Sequence, residues 1–133
     1  MKRIVPAVLL IIGLGFAPLS YGVTKHIPEG SRLISVYYGR FSGEMTLVNG
    51  IIHIELYQTP EGKKLFTGVL EQEDTGDSVL FRGELKGNTL KGTFDAPVHG
   101  TFSGQLSDSA RQLSGTFESL ELRDGTWKAR KEH

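Results

Sequence analysis

The sequence predicts an all-β protein: an antiparallel up-and-down meander of about eight to nine short strands that closes into a small barrel, with a two-sheet sandwich as the alternative. Three observations predict it. A five-residue pattern, apolar–polar–Gly–polar–apolar, recurs between Phe66 and Phe117. Turn residues punctuate the chain between its copies. No stretch beyond residue 22 reads as a helix.

The copies are Phe66-Thr67-Gly68-Val69-Leu70, Phe81-Arg82-Gly83-Glu84-Leu85, Leu90-Lys91-Gly92-Thr93-Phe94, Phe102-Ser103-Gly104-Gln105-Leu106 and Leu113-Ser114-Gly115-Thr116-Phe117; Val69 is the one lapse from polarity at the even places. The period is two, so the apolar pair and the glycine share one face of a strand and the polar pair takes the other. Two-residue turns at Thr75-Gly76, Gly87-Asn88 and Ser109-Ala110, with a three-residue loop at Pro97-Val98-His99, set an expected register. In it Gly68, Gly83, Gly92, Gly104 and Gly115 form one row across five strands. Phe81, Phe94, Phe102 and Phe117 flank that row.

Residues 1–22 carry the features of a secretory signal peptide: Lys2 and Arg3, an apolar run over residues 4–16, and Ser20-Tyr21-Gly22 as a small-x-small cleavage site. The run is short for a membrane span, which needs about 20 residues, so no stable membrane insertion is expected after cleavage. Residues 23–30, with Pro28 and Gly30, are a loose lead-in, and residues 31–133 are one barrel domain. The expected strands begin with residues 31–38, a turn at Gly39-Arg40, residues 41–48, a turn at Asn49-Gly50, and residues 51–58. Residues 59–63 form a longer loop around Pro60 and Gly62. After Phe117 the alternation changes phase at Glu118-Ser119, which reads as a bulge. Asp124-Gly125 forms the last turn. Residues 126–130 form the last strand, with Trp127 and Ala129 facing in.

The full chain carries 15 basic and 15 acidic residues; without Lys2 and Arg3 the formal charge is −2. No basic patch is interleaved with aromatic residues, so nucleic acid is not an expected partner. With no cysteine there is no disulfide, thiolate nucleophile or cysteine-based zinc site. No serine sits in a Gly-x-Ser-x-Gly elbow, and no glycine loop leads into a helix to hold phosphate. The expectation is therefore an exported bacterial protein, periplasmic or alternatively secreted, that is not an enzyme and takes no cofactor. It is expected as a monomer or small homo-oligomer.

Two binding readings follow. In the leading one, Phe81, Gly83, Gly92, Phe94, Phe102, Gly104, Gly115, Phe117 and Trp127 line a trough for a small apolar or amphipathic ligand. Replacing Gly92 with leucine is then expected to fill the trough and spare the fold. In the other, Trp127 fills the space over the glycine row. The barrel is then a scaffold whose loops, at Pro60 and Glu61 and at Pro97 and His99, bind a protein partner: an enzyme inhibitor, or an envelope or host-interaction factor. A third constellation is Glu44, His53 and Glu55, which share one outer patch and have the residue types of a divalent-cation site. A solvated polar face is the alternative there.

Leu90-Lys91-Gly92-Thr93-Phe94-Asp95-Ala96 and Leu113-Ser114-Gly115-Thr116-Phe117-Glu118-Ser119, followed by Gly125-Thr126-Trp127, resemble the strand segments of avidin-like meander barrels. The resemblance covers roughly residues 80–130 and implies a small antiparallel barrel of calycin type. That family walls its biotin pocket with several tryptophans, and this chain has one, so the resemblance implies fold and not biotin binding.

Overall fold

The computed structural model describes residues 27–43 and 49–132. The signal-like stretch, Glu44 and His133 lie outside them. The chain forms eight antiparallel strands: β1 (Arg32–Gly43), β2 (Asn49–Gln58), β3 (Lys64–Gln72), β4 (Ser78–Lys86), β5 (Thr89–Phe94), β6 (Gly100–Leu106), β7 (Gln112–Ser119) and β8 (Gly125–Glu132). Each pairs with the next, and β8 returns to pair with β1, so the sheet closes into a barrel. The meander barrel expected from the sequence is therefore the fold.

Two expected turns are instead strand. Gly39-Arg40 lies inside β1, which runs on to Gly43 and pairs Gly39 with Ile52 on one side and Ala129 on the other. A Cβ on Gly39 would meet the backbone of Lys128 and Ala129. This glycine therefore permits a close approach of strands where a turn was expected. Asn49-Gly50 opens β2, and Gly50 pairs with Phe41, whose ring covers the place of its missing side chain. The two strands expected over residues 31–48 are thus one strand as far as Gly43, which reduces the count to eight. Asp124-Gly125 is likewise no hairpin turn. Gly125 opens β8 opposite Phe117, and residues 120–124 make the connection.

The registers at Gly83↔Gly92 and Gly104↔Gly115 are as expected, but the single row of five glycines is not formed. Gly68 pairs with Phe81 and Gly92 with Phe102. The cause is turn length. Gln72 N donates to Asp77 O, so the β3–β4 loop is the four residues 73–76, with Gly76 at φ 74°, rather than Thr75-Gly76 alone. The β5–β6 loop spans residues 95–99 rather than 97–99. Moving a loop's centre by one residue moves the register by two. Each side chain keeps its face but changes its neighbour.

The result is large beside small. Phe66 sits next to Gly83, Phe81 next to Gly68, Phe102 next to Gly92, Trp127 next to Gly115 and Phe117 next to Gly125. The rings lean over the glycines. Trp127 Cη2 lies 2.9 Å from where a Gly104 Cβ would be, and Phe81 Cε1 lies 2.7 Å from that of Gly68. Phe81, Phe102 and Trp127 form a continuous stack, with centroid separations of 4.0 and 4.7 Å. Phe94 meets Phe81, Phe102 and Phe117 edge-on. Such contacts add about 0.5–1.5 kcal/mol each beyond the burial itself. The indole N–H of Trp127 donates to Ser103 O at 3.1 Å, which satisfies the one polar atom of the stack.

The barrel has two rims. At the amino-terminal rim lie the start of β1, residues 59–63, 87–88 and 107–111, and the end of β8. There the Tyr37 hydroxyl donates to Ala110 O at 2.9 Å, and Ile34 and Leu106 pack against the core. At the opposite rim, Val98 from residues 95–99 and Leu122 from residues 120–124 are buried as plugs.

The glycine pairs make a sharp prediction. A Cβ on Gly83 would fall on Lys91 O and within 2.5 Å of Gly92 Cα. Gly83→Val should therefore cost about 3 kcal/mol or more, because backbone must move. Gly87, in the two-residue turn at φ 62°, has open space around it. Gly87→Ala should cost about 1 kcal/mol, for its left-handed backbone alone. Urea unfolding of both variants measures this; equal losses would contradict the close approach. The same geometry corrects the expectation for Gly92→Leu. Its Cβ would meet the backbone of Arg82, so that change perturbs the fold rather than filling a trough.

Candidate functional site

The nine residues expected to line a trough do converge in the interior. Phe81, Phe94, Phe102, Phe117 and Trp127 are all buried, and they touch each other. The volume over Gly68, Gly104 and Gly125 is occupied by the rings of Phe81, Trp127 and Phe117. A ligand seated over Gly104 would have to displace the Trp127 ring, whereas the nearest atoms to a Cβ on Gly83, Gly92 or Gly115 are backbone. The sequence pattern identified these residues as one inner face but left their occupancy open between ligand and ring. The register shift sets rings beside glycines.

The two expected partner loops lie at opposite rims. Pro60 and Glu61 are exposed at the tip of residues 59–63, which close on themselves: Gly62 N donates to Thr59 O, and Lys63 N to the buried Thr59 hydroxyl. Pro97 and His99 belong to the other rim and are exposed on either side of the buried Val98. No single contact surface unites the pair. His99 is instead clasped to the neighbouring connection. Its backbone N–H donates to Glu121 Oε1, and its Nδ1 lies against Glu121 Oε2, both at 2.8 Å. The backbone N–H and ring bonds from His99 hold the Glu121 carboxyl below its ordinary value of 4.5. Beside this clasp Leu120 projects, 77% exposed.

The outer patch is partly assembled as expected. Glu44 lies outside the described residues. His53 and Glu55 alternate outward from β2, and His53 Nε2 comes 3.9 Å from Glu55 Oε2. Both are buried rather than solvated, at 6% and 9% exposure. Two tyrosines that the sequence reading missed complete the cluster. Tyr57, also outward on β2, donates its hydroxyl to Glu55 Oε1 at 2.8 Å. Tyr38 of β1 stacks flat on the His53 ring, with centroids 4.5 Å apart and planes 7° from parallel. Spacing held a signal for Tyr57, which is two residues beyond Glu55 and so on its face. Tyr38 became visible only once β1 was known to run unbroken past Gly39, which sets it opposite His53.

Burial shapes this cluster's protonation. It pushes the His53 imidazole below 6.5, against the opposing pull of the Glu55 and Glu132 charges, so the ring is neutral near pH 7. Burial, with the bond to Glu55, pushes the Tyr57 phenol up. Tyr38 is raised by burial and by Glu132 and Glu55. The cluster is thus a neutral ring stacked on Tyr38, beside a Glu55 carboxyl that accepts from Tyr57. Among the described residues, no three His, Cys, Asp or Glu side chains are placed to hold a metal ion together.

A third feature escaped the sequence reading. At the amino-terminal rim a cleft of about 620 Å³ is lined by Leu33, Ile34, Ser35 and Val36 on one side and by Ser109, Arg111, Lys131 and Glu132 on the other. A β-bulge lies in its wall at Ile34, where the β1–β2 register shifts between Leu33 and Ser35.

A scan against protein-family models finds no match, and a search of curated proteins finds none.

His53 supplies a pH prediction. Its imidazole takes up a proton less readily in the folded than in the unfolded chain. Folding therefore gains nothing from this group above pH 6.5, and stability falls as pH drops below that value toward the folded pKa. The slope in that window is at most about 1.4 kcal/mol per pH unit. Urea unfolding at pH 7.5 and 5.5 should show the loss, and His53→Gln should flatten it. The Glu121 contribution is lost at lower pH, below about 4.5, and so separates from it. An unchanged slope in the variant would remove His53 from the account.

Proposed function

We propose that the protein is an exported bacterial barrel that acts as a filled, non-catalytic scaffold for a protein partner, bound at its rims and outer wall. The observation that carries this is the aromatic stack. Phe81, Phe102 and Trp127 stack through the interior, Phe81 and Trp127 lie over Gly68 and Gly104, and the indole N–H already has its acceptor. A barrel that fills its own interior with side chains has recognition left for its loops and surface. Export to the periplasm, or secretion, rests on the signal-like residues 1–22. The avidin-like resemblance is kept as a likeness of strand segments. The one tryptophan here packs in a stack instead of walling a pocket.

The exposed chemistry suits recognition by a protein. One rim presents Leu120 beside the His99–Glu121 clasp, and the other presents Glu61 and the cleft beside Leu33. These surfaces are rigidly supported. Val98 and Leu122 root one rim in the core, and Tyr37 roots the other.

Native mass spectrometry of the mature protein, purified gently from its host's envelope fraction, tests the reading. The expected spectrum shows the bare chain together with a defined complex with a second protein. Hydrogen exchange should then show protection at a rim and none added to the inner strands. A discrete added mass of a few hundred daltons, lost on denaturation, would instead establish the interior ligand and end the scaffold reading.

A further inference from the structure

We draw no further inference here: the strongest candidate, the outer wall of β1–β3, where Tyr38, His53, Glu55, Tyr57, Thr67 and Val69 face away from the core yet are half or fully buried, carries no proposal because nothing among the described residues shows what covers it.

Discussion

Everything in this barrel depends on strands approaching one another more closely than side chains permit. At Gly83 and Gly92, and again at Gly104 and Gly115, two glycines face each other across a strand pair, and a Cβ on either member would strike the neighbouring backbone. Each pair removes volume from the wall. The rings of Phe66, Phe102 and Trp127 in adjacent strands return it to the interior. Backbone proximity and aromatic packing are therefore one constraint. Glycine at these places weakens a strand locally, and the stack that leans into the vacated space offsets that cost.

This constraint was half legible in the sequence. The period-two pattern around each glycine identified the inner face, and Gly87-Asn88 set the β4–β5 register correctly. Where registers were missed, the error lay in counting turn residues. Thr75-Gly76 looks like a complete two-residue turn, yet Gly76 supplies the left-handed residue that ends a four-residue loop. Gly39-Arg40 and Asn49-Gly50 were misread for a related reason. A glycine beside a polar residue suits both a turn and a strand crossing that tolerates no Cβ, and only the neighbouring strands choose between them. β8, distant in sequence, is what fixes Gly39.

The candidate sites divide along the same line. His53 and Glu55 were legible because parity puts them together on one strand. Tyr38 and the amino-terminal cleft were not, since both bring together residues far apart in the sequence: Tyr38 against His53, and residues 33–36 against Ser109, Arg111, Lys131 and Glu132. The loops that carry Pro60 and His99 looked equivalent as exposed turns. In a meander, alternate connections fall at opposite ends, so strand parity separates them before any contact is considered. The molecule thus offers two independent rims, one plugged by Val98 and Leu122 and one with a bulge at Ile34 beside a cleft.

The closure of β8 onto β1 also governs how the chain acquires its structure. Residues 36–43 find their second neighbour only in residues 125–132. Pairing of such sequence separation is slow to nucleate, because most of the chain must be looped before it is rewarded. A nascent chain emerging from the ribosome cannot seal the barrel until its final strand is available. Trp127, which completes the central stack, arrives in that same strand. The β1–β8 seam can therefore form only after β8 has been made, and the same strand completes the central stack.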